Sequence, residues 1–156
     1  MNENINIKQK SFIINESSKL FYYKGYNNTN LTDIFESCNI TNDTFFKNFS
    51  SKNELLIDVI KFHTNNLIGF FNKVVNDLSI EKLKEFFEKY FENIENNKFH
   101  GGSPLGNLAL ELSDINKNIR EELVKSYKKI ELRFSFFITT LKYAFPENMI
   151  RLSLKQ

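Results

Sequence analysis

The stretch from Leu31 to Phe49, LTDIFESCNITNDTFFKNF, leaves this chain little freedom in how it folds. Asn39, within Cys38-Asn39-Ile40, is of the non-glycine type that best tolerates positive φ, so a tight turn can pin two short helices at a fixed angle. Asn30 and Thr41 suit the N-caps of those helices, and Asp33 stands three residues after Asn30, where its carboxylate can return the capping bond. Ile34 and Phe35 should face inward from the first helix, Phe45 and Phe49 from the second. The pattern is that of a helix-turn-helix, whose second helix offers its outer face to a major groove while the first crosses the phosphates.

The flanking sequence supplies helices to support it. From Lys8 to Lys24, Ile13, Ile14, Leu20 and Phe21 with Ser17 make one apolar helical face. Gly25 is placed for a left-handed C-terminal cap, closed by Tyr26. Ser51 to Glu54 reads as a capping box opening a long amphipathic helix that runs through Leu55, Leu56, Val59, Ile60, Leu67, Ile68, Phe71, Val74 and Val75 and ends near Asp77. Ile80 to Asn93 repeats the pattern with Leu83, Phe86, Phe87, Tyr90 and Phe91. The breakers Gly101, Gly102 and Pro104 mark a loop from Asn96 to Pro104. A short apolar helix over 105–113 follows, then a long one from Asn116 or Asn118 to Phe145, stopped by Pro146. The tail to Gln156 has no strong pattern. No period-2 alternation of useful length appears, so the expected fold is all-α.

The chain has 156 residues, long enough for a core without disulfides or metal, and 17 Phe carry much of the packing. Its lone Cys38 suits a reducing compartment as a buried space-filler. No apolar signal core opens the N-terminus and the apolar runs are too short to span a bilayer, so a cytoplasmic address with no membrane partner is expected. Net charge is only +2, and within residues 1–65 seven lysines are matched by seven acids, giving the presumptive DNA-binding end no net positive charge.

Residues 8–61 resemble, without a gap, the N-terminal domain of TetR/AcrR-type transcriptional regulators. The match is carried by Leu20-Phe21, Lys24-Gly25-Tyr26, Thr29, Leu31, Asp33-Ile34, Ile40-Thr41, Thr44-Phe45-Phe46, Phe49, Ser51-Lys52 and Glu54-Leu55-Leu56. A second segment, Gly101 to Asp114, is similar to the start of the ligand-domain helix in a subgroup that includes drug-resistance repressors. Ser103 stands where that subgroup often carries Cys, so thiol sensing is not implied there.

The resemblance implies a three-helix helix-turn-helix DNA-binding domain over 5–65 and a helical effector-binding and dimerisation bundle over 66–156. It implies a homodimeric repressor of a double-stranded DNA operator, released when a small hydrophobic effector spreads the two recognition helices. The implied DNA-binding residues are Thr41, Asn42, Thr44, Phe46, Lys47, Asn48 and Lys52, with Lys47 and Lys52 on phosphate. Four positions depart from the family pattern: Asn42-Asp43 in place of a small or basic residue followed by Gly, Phe46 for Tyr, and Asn48 for His. Asp43 should weaken affinity for phosphate. Against the family the chain also reads as shortened by the two helices that usually build the dimer's four-helix bundle, which keeps open a different reading as a helical interaction protein with weakened or lost DNA binding, acting through dimerisation.

Other signals are weaker. The Phe stripes at 70, 71, 86, 87, 91, 134, 136 and 137 read as core, with an apolar cavity between helices as their collective alternative. His63 and His100 have no metal-ligand spacing around them, and Glu111 with Asp114 reads as a solvated pair. No catalytic constellation and no phosphate-cradling glycine loop appears, so neither an enzyme nor a cofactor is expected.

Overall fold

The computed structural model describes residues 2–96, 102–112 and 116–144. They form seven α-helices: α1 (Asn2–Lys24), α2 (Leu31–Cys38), α3 (Asn42–Asn48), α4 (Lys52–Val74), α5 (Ile80–Asn96), α6 (Pro104–Leu112) and α7 (Lys117–Ala144). No strand occurs among the described residues. The all-α expectation holds. α1 begins six residues before Lys8, and α4 stops at Val74, before Asp77, with Val75 as its cap. Gly101, Ser113, Asp114, His100, Phe145, Pro146 and the tail lie outside the described residues.

The local signals work as read, with one change. Gly25 takes φ +83° and Asn39 takes φ 50°, ψ 51°, closing α1 and α2 with left-handed residues. Asn30 Oδ1 accepts from the Asp33 N–H at 2.8 Å, and Asp33 Oδ2 accepts from the Asn30 N–H at 2.7 Å, a complete capping box. At α4 only half of such a box forms. Ser51 Oγ accepts from the Glu54 N–H at 3.2 Å, but the Glu54 carboxylate turns to the N–H and hydroxyl of Ser50 instead, at 2.7 and 2.6 Å. Those two bonds hold the Glu54 carboxyl below its usual range. Asn116 caps α7, accepting from the N–H groups of Asn118 and Ile119.

Two separate cores result. One lies beneath the helix-turn-helix and gathers Ile13, Phe21, Ile34, Phe45, Phe49, Leu55, Leu56, Val59 and Ile60 with Leu105, Leu108 and Leu112 of α6 and Ile119 and Leu123 of α7. The other is aromatic and joins the far end of α4 to α5 and α7 through Phe71, Phe86, Phe137 and Leu141, with Phe70 and Phe134 packed against them. Not every Phe expected inside is there. Phe87, Phe91 and Phe136 are exposed, because one helix face can point into a core and adjacent or opposite positions on it cannot.

Candidate nucleic-acid interface

The seven residues of α3 are held by their inward rings. Phe45 is fully buried, with the rings of Phe35 and Phe49 each 5.6 Å away, so the recognition helix is anchored to α2 and to its own C-terminal end. Thr41 starts it: its hydroxyl lies 3.0 Å from that of Thr44 and accepts from the Thr44 N–H at 3.3 Å. At the preceding turn the Ile40 N–H reaches the Phe35 carbonyl at 3.0 Å, which fixes the angle between the two helices.

This packing turns Asn42, Asp43, Phe46 and Lys47 outward, with Thr41 exposed beside them and Thr44 half-buried. Phe46 is 47% exposed, its ring set edge-on to Phe45. The remaining two candidates are committed within the protein. The Asn48 amide donates to the Thr44 carbonyl at 2.8 Å and to Gln9 Oε1 at 3.3 Å. Lys52 Nζ donates to the carbonyls of Tyr26 and Thr29 at 2.8 and 2.7 Å and lies 3.9 Å from the centre of the Tyr26 ring. Burial lowers the Lys52 pKa.

Ion pairing decides which cations this surface can offer. Lys10 pairs with Asp58, Lys19 with Glu16, Lys24 with Asp33 and Lys61 with Asp58. The hydrogen bond from Lys24, helped by the Asn30 N–H, holds the Asp33 carboxyl below its usual range. Among the described residues up to 65, Lys8 on α1 and Lys47 on α3 are the lysines with neither an ion pair nor the carbonyl bonds that hold Lys52. Local sequence gave no means of sorting paired from unpaired lysines, since two of these pairs join different helices.

The turn between α1 and α2 has a second, distant hold that sequence reading missed. Glu111, near the end of α6, accepts from the N–H groups of Tyr26 and Asn27 at 3.0 and 2.6 Å. The Tyr26 hydroxyl donates to Asn53 at the start of α4. At the other end of α6, the Tyr22 hydroxyl donates to the Gly102 carbonyl at 2.9 Å. Its partners lie more than 80 residues away in sequence, so no local pattern marks Glu111.

Beside that N-terminal end lies a cleft of about 250 Å³ between α1, α4, α5 and α6, whose walls include Tyr22, His63, Phe70, Tyr90 and Leu105. His63 borders this cleft, and burial pushes its imidazole down to about 4. Cys38 is buried and its thiol is pushed by burial up to about 11, as suits a space-filler. Among the described residues no group of three His, Cys, Asp or Glu is placed to hold a metal ion, and no helix is long and apolar enough to cross a membrane.

A helix-turn-helix mounted on a helical bundle is the architecture of many DNA-binding transcriptional regulators, and the comparisons with known proteins point the same way. Residues 13–59 match the model of bacterial regulatory proteins of the tetR family, so the helix-turn-helix end of the chain is of the TetR type. It is similar to an uncharacterized HTH-type transcriptional regulator in the lacX 3′ region of Lactococcus lactis subsp. lactis, 26% identical over 87% of this chain and 70% of the relative. It is also similar to the biofilm operon icaADBC HTH-type negative transcriptional regulator IcaR of Staphylococcus aureus, 27% identical over 81% of this chain and 73% of that one. The fold is shared with a regulatory protein TetR from Rhodobacter sphaeroides, at TM-score 0.76 and 17% identity over 86% of this chain and 72% of that one. A TetR-family regulator from Cytophaga hutchinsonii gives 0.74 and 22% over 89% and 70%.

Proposed function

We propose that this regulator is a repressor that binds its operator as a homodimer through residues 31–49 and releases it when a small hydrophobic effector enters the cleft beside α6. The observation that carries the reading is the placement of α6. One end of this helix borders the cleft, while the other holds the turn that supports α2 through Glu111. An occupant that displaces α6 therefore acts on the reading head through a contact it does not touch, which is the differential interaction a population shift requires. The likeness to a negative regulator is consistent with repression.

In this reading residues 5–65 meet DNA and residues 66–156 meet effector and partner subunit, with α6 and the start of α7 serving both through the shared core. Thr41, Asn42, Thr44 and Phe46 address bases and sugar, and Lys47 addresses phosphate. Asn48 and Lys52 contribute by positioning, since the Asn48 amide N–H groups and the Lys52 ammonium already donate within the protein. Exposed apolar residues along α7, Val124, Tyr127, Leu132, Phe136 and Ile138, support pairing with a second copy.

Fluorescence anisotropy on DNA from the protein's own upstream region, at low ionic strength, tests this. A dimer that causes no salt-sensitive rise sinks the proposal. Lys47→Ala should weaken binding to all sequences and lower the salt slope by about one per subunit. Asp43→Asn should strengthen binding, and unchanged or weaker binding removes the opposing role given to Asp43.

A further inference from the structure

The cleft between α1, α4, α5 and the start of α6 differs from the rest of the surface in its charge. Every described residue lining it is uncharged at neutral pH: aliphatic and aromatic walls such as Leu67, Phe70 and Leu105, the phenol rings of Tyr22 and Tyr90, and the amides of Asn66 and Asn93. Its one titratable base, His63, is kept neutral by burial, and burial, with lesser help from Tyr23 and Tyr90, raises the Tyr22 phenol above its ordinary value. The neighbouring clefts are unlike it. One is lined by Lys61, Glu122, Lys125 and Lys129, another by Asp58 and Lys61.

We propose that this cleft takes an uncharged aromatic molecule of one or two rings bearing a hydrogen-bonding group, and that it rejects ions of the same shape. The inference rests on the effector reading given above and names the chemical class that reading leaves open. An ion entering the cleft loses hydration and meets no described counter-charge, whereas a neutral ring exchanges water for apolar and aromatic walls. A volume of about 250 Å³ lies just below the range of roughly 300–1,000 Å³ that suits drug-sized ligands, which limits the occupant to one or two rings. An amide offers both a donor and an acceptor, so Asn66 suits a phenol, ketone or carboxamide without asking for charge.

Isothermal titration of the full chain at neutral pH with 2-naphthol, 2-naphthoate and 2-naphthylmethylammonium, one shape in three charge states, tests the proposal. The neutral probe should bind roughly tenfold or more tighter than either ion. Leu105→Trp should fill the cleft and weaken naphthol by a similar factor. Asn93→Asp, which barely changes shape, should shift preference toward the ammonium. The proposal is overturned if either ion binds as tightly as naphthol, if naphthol does not bind, or if neither variant alters the order of the three. Release of DNA is read separately by anisotropy. Naphthol that binds with the stated preference yet leaves DNA bound counts against the effector reading alone, and release by the ions equally well counts against the charge preference alone.

Discussion

Beneath the helix-turn-helix the core is largely aliphatic and closed, with Ile13, Ile34, Leu55, Leu56, Val59 and Ile60 fully covered. The core joining α4, α5 and α7 is a stack of rings whose margins reach the surface. In that second core Phe71 lies 4.4 Å from Phe134, 5.1 Å from Phe86 and 5.7 Å from Phe137, in tilted and edge-to-face arrangements. Branched side chains with one preferred rotamer interlock in few ways and fix the angle between helices. Edge-to-face rings are compatible with a broad range of separations, so this packing constrains the angle between helices less tightly. The first region is packed by shape, and the second by ring against ring.

The largest effect should follow from opening the closed core. Phe45→Ala should cost about 3–5 kcal/mol in urea unfolding and abolish DNA binding, whereas Phe136→Ala, at a side chain 69% exposed, should stay within about 0.5 kcal/mol. Similar losses in the two variants would break the comparison. Next comes the tie between the regions. Glu111→Gln should cost about 1–3 kcal/mol and speed hydrogen exchange at the Tyr26 and Asn27 amides, since one acceptor oxygen is replaced by an NH2 donor and the remaining bond loses its charge. Unchanged exchange at both amides would show that the tie is not a constraint.

A comparable or smaller effect belongs to His63, whose folded-state pKa lies near 4 against an ordinary 6.5. Between those values the unfolded chain binds the proton that the folded chain refuses. Stability is therefore full above about pH 6.5, falls as pH drops toward 4, and loses no more to this group below that. Discounted for partial exposure, the loss is about 2 kcal/mol. Thermal melts at pH 7 and pH 4.5 should show His63→Gln losing less stability than the parent. Equal losses would place the acid sensitivity elsewhere.

Much of the first region was legible in sequence because its determinants are local. Asn30 with Asp33, Asn39, Thr41 and Gly25 act within a few residues of themselves, and each adopts the role its chemistry suggests. Ile34, Phe45 and Phe49 follow from helical spacing. The second region was read less well, since a Phe at every third or fourth position does not say which neighbour covers it, and Phe87, Phe91 and Phe136 are left outside. The interface shows the same division. That Asp43, Phe46 and Lys47 face outward follows from the inward rings, but the internal bonds of Lys52 and Asn48 depend on chain segments distant in sequence or on rotamers. The split at residue 65 cuts through a core that Leu105, Leu108 and Leu112 complete from far downstream.

The grip of Glu111 on Tyr26 and Asn27 spans 85 and 84 residues of sequence, and that distance is also a delay. At a synthesis rate of roughly 5–20 residues per second, the turn between α1 and α2 leaves the ribosome about 4–17 s before the carboxylate that ties it down. During that interval water must serve those two N–H groups. The helix-turn-helix is thus finished by a helix made much later, and a nascent chain carries α2 and α3 before it carries the carboxylate that steadies the turn beside them.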